Sequence, residues 1–269
     1  MTADWDPAHY LRFADHRARP FVDLLARVGA DAPRTVVDLG VGAGNLLPLL
    51  RARFPGADLL GVEPSAAMRE AAQPHAATTG AQVVDGAAED WVADEPVDVL
   101  VSNAVLQWVP GHLELLPRLV AQVAPGGWFA FQVPANAAAP IGSLAEVLRA
   151  EPPFAPHADG AATVAAHEPV DYLVALAALG LEVDAWATTY EHVLPVTPDD
   201  PDPALTWVTA TGARPTLDAL PADLRPVFRE RLGERLRAAY PPRDVGGRPA
   251  VVLPFRRVLV VARVPGGAR

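Results

Sequence analysis

Residues 35–45, TVVDLGVGAGN, constrain this chain more than any other stretch. An apolar run interrupted by one carboxylate, Asp38, reads as a buried strand, and Gly40, Gly42 and Gly44 follow it at alternate positions. Glycines at such a point let the backbone turn tightly out of a strand and let a ligand come close to the main chain. A dinucleotide-reading turn has the pattern G-x-G-x-x-G. That pattern asks for glycine at position 45, where the chain has Asn45, and its third glycine comes one residue early. Nicotinamide binding, and with it a dehydrogenase, is therefore disfavoured.

The surrounding sequence alternates between the two periods. After the glycine turn, NLLPLLRARF reads as a helix, DLLGVE (58–63) as a second strand and PSAAMREAAQP as a helix with Pro64 near its start. AQVVDG is a third short strand and VDVLVSNAV (97–105) a fourth. HLELLPRLVAQVA follows as a helix, PGG as a turn and WFAFQVP as a fifth strand. Strands alternating with helices over 35–134 predict an α/β fold with a doubly wound, mostly parallel, Rossmann-like sheet. In such sheets ligands sit beyond the carboxyl ends of the strands, beside the first strand. Glu63, ending the second strand, is placed to accept hydrogen bonds from both hydroxyls of an adenosine ribose, and Asn103 ends the fourth.

Outside that core the expectation is a single domain over 1–269 with added segments. Residues 1–30 read as two short helices broken near Pro20 and forming a lid, and 135–180 as connecting helices. LEVDAWATTYEHVL alternates like a long strand, 198–240 reads as a helical cap with prolines at its joints, and 249–264 as the final strand.

Composition removes several function classes. The chain has no cysteine, which excludes thiolate metal sites and a Cys nucleophile. It also has no lysine, so all 22 of its Lys-plus-Arg residues are arginine, which excludes a Walker lysine and a Schiff-base lysine. A formal charge of −10 with no long basic run argues against nucleic-acid binding. The seven histidines never fall into a metal-binding spacing, so no metal is expected. No apolar run is long enough to span a bilayer, and MTADWDPAHY lacks a secretory pattern, so a cytoplasmic location is expected.

The whole constellation resembles the class I S-adenosylmethionine-dependent methyltransferases. Their D/E-x-G-x-G-x-G motif is matched by Asp38-Leu39-Gly40-Val41-Gly42-Ala43-Gly44, and SNAVLQWV looks like their fourth-strand motif, in which Asn103 helps hold the methionine end. The resemblance implies S-adenosyl-L-methionine as cofactor and S-adenosyl-L-homocysteine as product. It implies Asp38, Gly40, Val41, Gly42, Gly44, Glu63, Pro64, Met68, Ala87, Ala88, Glu89 and Asn103 as the residues around them. Where the family often carries an acid against the adenine amine, this chain has Ala87, leaving adenine recognition to backbone near Ala88 and to Glu89. DWDPAHYLRFADHRARPFVDLLARV, SNAVLQWVPGH, EVDAWATTYEH and TWVTATGARP are similar to the trans-aconitate 2-methyltransferase family. That likeness implies methyl transfer to one carboxylate of trans-aconitate, giving a monomethyl ester.

A carboxylate acceptor is already ionised at neutral pH and needs no general base, so no catalytic residue of that kind is expected. A polycarboxylate needs forked cationic donors instead. Arg214 is the leading candidate, with Arg257, Arg19 and Arg17 beside it; Tyr10 and Tyr190 offer hydroxyls, and Trp108 and Trp207 could exclude water. The alternative is another small carboxylic acid or a natural-product hydroxyl, for which His192 or His112 could serve as base. A methyltransferase-like scaffold without activity is the non-enzyme reading, and no obligate protein partner is evident.

Overall fold

The computed structural model describes residues 14–158 and 161–266, with the side chains of 14–17 left aside. Five strands, β1 (Thr35–Leu39), β2 (Asp58–Val62), β3 (Gln82–Val84), β4 (Val97–Asn103) and β5 (Val123–Pro134), are followed by β6 (Glu182–Pro195), β7 (Arg243–Asp244) and β8 (Pro249–Arg263). The sheet order is β3-β2-β1-β4-β5-β8-β6, and β7 pairs with β8. β1 to β5 are mutually parallel, whereas β8 runs antiparallel to β5. The order reverses between β1 and β4, which opens a crevice at their carboxyl ends, where such sheets bind ligands.

The chain divides into two compact units. One comprises Met1–Pro134, Ala166–Thr188 and Arg257–Arg269; the other comprises Ala135–Ala165 and Thr189–Arg256. In the first, α1 (Ala14–Leu25) runs unbroken through Pro20, where the sequence predicts a break. Proline removes one helical hydrogen bond, but here Phe21, Leu24 and Leu25 are buried in the core that also holds Val36, Val99, Ala130 and Leu259. That burial outweighs the local penalty. The helix Ala66–Thr79 is capped by Ser65, whose Oγ accepts the Met68 N–H, and ends on Gly80 at φ +67°.

A second departure concerns PGG. The segment is not a turn before the fifth strand but a bulge within it. β5 pairs with β4 at Val97↔Val123, then again from Val99↔Trp128, with the register shifting between. Gly126 takes φ +82°, and a Cβ on Gly127 would stand 2.8 Å from the Ala124 and Asp98 carbonyl oxygens, so glycine is required there.

The second unit is helical, with Pro140–Arg149, Pro203–Thr209, Arg214–Ala219 and Leu224–Ala239 as its main helices. Phe154 and Phe228 meet edge to face at 5.1 Å in its interior. The Tyr240 hydroxyl accepts the Ile141 N–H, which ties the last helix to the first. Among the described residues no helix is long and apolar enough to cross a membrane. None of their His, Asp or Glu side chains form a cluster of three or more able to hold a metal ion.

Candidate functional site

The three glycines of the turn do different work. The Gly40 and Val41 N–H groups both donate to the Val62 carbonyl, at 2.8 and 3.1 Å, which anchors the turn on the end of β2. Gly40 has φ +83°, and a Cβ there would lie 2.1 Å from the Val105 side chain. Gly44, at φ +76°, would bring a Cβ within 3.0 Å of Ala72 on the helix Ala66–Thr79. Both therefore serve close packing of the chain on itself. Gly42 differs: φ is +57°, yet a Cβ would meet nothing within 4 Å. Its missing side chain faces open space in which a ligand can lie against the backbone.

Two buried carboxylates stand beside the turn, Asp38 on the strand that enters it and Glu63 bonded to its backbone. Glu63 is 8% exposed; its Oε2 accepts the Gly42 N–H at 3.1 Å and its Oε1 the Ser65 N–H at 3.0 Å. Burial pushes its pKa up, and the two N–H donors pull against that shift. The carboxylate is thus held in one orientation with a further lone pair on each oxygen, which suits the two hydroxyls of a ribose. Asp38 is buried at the end of β1, and its Oδ1 has no hydrogen-bond partner. Burial first, and the Glu63 charge second, push its pKa up to about 7. A buried carboxylate oxygen left without a donor fits a site that receives a cationic ligand group.

Two arginines absent from the sequence reading shape the loops beside these groups. Arg69 Nη1 donates to the carbonyls of Glu63 and Pro64, both at 2.8 Å, and pairs with Asp85 at 2.9 Å. It therefore joins the turn after β2 to the turn after β3. Arg118 donates to the carbonyls of Glu89 and of Trp91, the latter at 3.0 Å, which braces the loop holding Ala87 and Ala88. Ala88 and Met68 are buried and Pro64 is half-buried, whereas the Glu89 side chain is exposed. That loop thus sets the buried Ala88 beside the exposed carboxylate of Glu89.

At the end of β4, Asn103 is 7% exposed, and its Oδ1 accepts from Gln132 Nε2 at 2.7 Å. Gln132 Oε1 in turn accepts from Arg257 Nη1 at 3.2 Å. Ala104, next along the chain, has φ +58°, a left-handed conformation rare for a residue with a Cβ. It is held there by its N–H on the Gln132 carbonyl at 3.0 Å and by Gln107 Nε2 on its own carbonyl at 2.6 Å. Trp108 ends the short 3-10 turn Leu106–Trp108 and is half-buried. His112, a possible base in the sequence reading, is fully buried with both ring nitrogens engaged, by the Val109 carbonyl at 3.3 Å and the Tyr172 hydroxyl at 2.7 Å. Burial lowers its pKa, so it serves as a tie between two helices.

The remaining candidates are spread more widely. Tyr190 and Trp207 are buried in the second unit, where Trp207 stacks on His192 at 4.8 Å and meets Phe255 edge-on at 5.4 Å. Arg214 opens the helix Arg214–Ala219, with its Nε 3.5 Å from Asp218 and its side chain 19% exposed. Arg19 is exposed on α1. Tyr10 and the side chain of Arg17 lie outside the described residues. Asp38, Gly40, Gly42, Gly44, Glu63 and Asn103 thus share one rim of the sheet, as their strand positions predict. Gln132 goes unread in the sequence, although a lone amide ending an apolar strand, as Asn103 does, is a usable signal.

A family model described as a methyltransferase domain matches residues 10–193. The chain is 46% identical to a trans-aconitate 2-methyltransferase of Streptomyces coelicolor, over 98% of this chain and 88% of that one. It is 44% identical to a trans-aconitate 2-methyltransferase of Rhodococcus jostii, over 97% and 99% of the two chains. Among solved structures, the YcgJ protein of Bacillus subtilis aligns with a TM-score of 0.60 at 15% identity, covering 93% of this chain and all of that one. A geranyl diphosphate methyltransferase in complex with S-adenosylmethionine aligns with a TM-score of 0.52 at 18% identity, over 96% and 91%. The two structural matches bear on the fold alone.

Proposed function

This chain belongs to the methyltransferase family that includes the trans-aconitate 2-methyltransferases, and from that premise we propose that it transfers a methyl group from S-adenosylmethionine to a carboxylate of trans-aconitate. The products are the monomethyl ester and S-adenosylhomocysteine. The observation that carries this reading is the extent of the likeness. It does not stop with the cofactor-binding strands but runs through the second unit, beyond the stretch matched by the methyltransferase model.

The residues fit the cofactor. Open space at Gly42, the pre-oriented Glu63 carboxylate and the unpartnered Asp38 Oδ1 suit, in turn, close backbone contact, a ribose and a cationic amino-acid end. When bound, S-adenosylmethionine supplies a methyl group on a positively charged sulfur. The chain's part is to hold, orient and dehydrate. An acceptor carboxylate is ionised near neutrality, so no side chain has to remove a proton. Its lone pair must instead be stripped of water and aligned, and alignment alone is worth several orders of magnitude in rate. Guanidinium groups suit that task in a protein of net charge −10, because they recruit a polyanion that the overall field repels.

We assign one acceptor carboxylate to Arg214, whose partly buried guanidinium has Asp218 as a nearby acid. Arg214→Ala is expected to raise KM for trans-aconitate about tenfold or more while KM for the cofactor stays within about twofold. Equal effects on both would remove Arg214 from acceptor binding. The function itself is tested by following label from S-adenosylmethionine into trans-aconitate, cis-aconitate, isocitrate, citrate and simple phenols. Selective labelling of trans-aconitate is the expected result. Preferred labelling of a phenol would overturn the carboxylate reading.

A further inference from the structure

Asn103, Gln132 and Arg257 stand on three neighbouring strands. Asn103 and Gln132 are direct partners in the parallel register of β4 and β5. Arg257 pairs with Pro134, two residues beyond Gln132, so its side chain shares a sheet face with that of Gln132. All three are nearly inaccessible, at 7%, 1% and 4% exposure. The hydrogen bonds run from Arg257 Nη1 to Gln132 Oε1, and from Gln132 Nε2 to Asn103 Oδ1.

The chemistry of the first member fixes the direction of the whole chain. A guanidinium has five N–H donors and no acceptor. Gln132 must therefore turn its carbonyl toward Arg257, which leaves its NH2 facing Asn103. Asn103 must then turn its own carbonyl inward, and its NH2 faces outward; that Nδ2 makes no hydrogen bond to the described residues. An amide free to flip could present either a donor or an acceptor to a ligand. Here the buried arginine removes that choice. The backbone reinforces it, since the strained Ala104 is pinned by its N–H to the carbonyl of the same Gln132.

We infer that Gln132 is a positioning residue that, oriented by Arg257, locks Asn103 as a hydrogen-bond donor toward the carboxylate of the cofactor's amino-acid end. This inference rests on the proposed cofactor. It assigns to two buried strand residues a task that neither performs by touching the ligand. It also states which ligand group Asn103 selects: an acceptor, a carboxylate, while the ammonium falls to Asp38.

The test compares two ligands by calorimetric titration of the full chain. S-adenosylhomocysteine carries the amino-acid end, and 5′-methylthioadenosine lacks it. In Gln132→Glu, an acceptor-only carboxylate faces both neighbours, so Asn103 must turn its NH2 inward and present oxygen to the ligand. In Gln132→Met, the lock is removed without adding charge and Asn103 is free to flip. The expected loss in S-adenosylhomocysteine affinity is about 30-fold for Gln132→Glu and about fivefold for Gln132→Met. Methylthioadenosine affinity should stay within about twofold in both, which also shows that each variant is folded. A loss confined to Gln132→Glu would mean that charge, not orientation, acts, and would overturn the inference. An equal loss for both ligands would reduce Gln132 to packing and overturn it too. Failure of the unaltered protein to bind S-adenosylhomocysteine would overturn the cofactor reading itself, a separate outcome.

Discussion

Glu63→Ala is expected to weaken S-adenosylhomocysteine binding by about 100-fold or more while leaving the fold intact. Each hydrogen bond from a hydroxyl to a charged acceptor is worth about 1.5–3 kcal/mol, and the ribose has two hydroxyls to place. The carboxylate is already oriented by the Gly42 and Ser65 N–H groups, so its loss removes an acceptor that needs no reorganisation on binding. Two effects on stability oppose each other. The variant strands those two N–H donors, yet it also removes a charge that raises the pKa of Asp38. The melting temperature without ligand should therefore move by only about 2–4 °C, which is a change of order 1 kcal/mol for a chain of this size. Glu63→Gln keeps one acceptor oxygen and should fall between, at about tenfold. Titration calorimetry of the three proteins decides the matter, and an unchanged dissociation constant for Glu63→Ala would refute the ribose role.

The parts of this molecule that are legible from sequence are those where a local pattern and the tertiary structure want the same thing. Parallel strands buried on both faces must be apolar runs, so β1, β2, β4 and β5 announce themselves. The glycine spacing identifies a turn that is not built for a pyrophosphate, and Glu63 and Asn103 fall at strand ends by simple counting. Legibility fails where distant packing overrides a local rule. Pro20 reads as a break, but the burial of Phe21, Leu24 and Leu25 carries the helix through it. Pro125 to Gly127 read as a turn, but a shift in register against β4 absorbs them as a bulge. The supports of the site are hidden for a different reason. Arg257 and Gln132 are 125 residues apart, and nothing local tells which of many arginines meets which amide. Arg69 and Arg118 likewise bind carbonyls on loops distant in sequence, and a carbonyl carries no residue signature.

Asp38 gives the second large effect, one that pH makes visible. Its pKa is pushed up to about 7, mainly by burial and further by Glu63, against an unfolded value near about 3.9. A raised folded pKa means that the native state holds the proton more tightly than the unfolded chain does. The stabilising contribution is therefore fully present below about pH 4 and is lost as pH rises through about 7. Between pH 5 and pH 8 this loss is on the order of 3 kcal/mol, since each pKa unit corresponds to about 1.4 kcal/mol. Asp38→Asn fills the same space with a group that never ionises. Urea unfolding of the two proteins should thus show the asparagine variant gaining stability relative to the unaltered protein as pH rises from 5 to 8, by roughly that amount. Parallel stability profiles would mean that Asp38 titrates normally and that its burial is relieved. The unaltered protein retains a carboxylate that costs stability at neutral pH, and a cationic ligand group is what offsets such a cost. S-adenosylhomocysteine, with its ammonium, should accordingly favour the ionised form and release protons on binding near pH 7. Calorimetry in buffers of different ionisation enthalpy reads that release directly, and Asp38→Asn should abolish it.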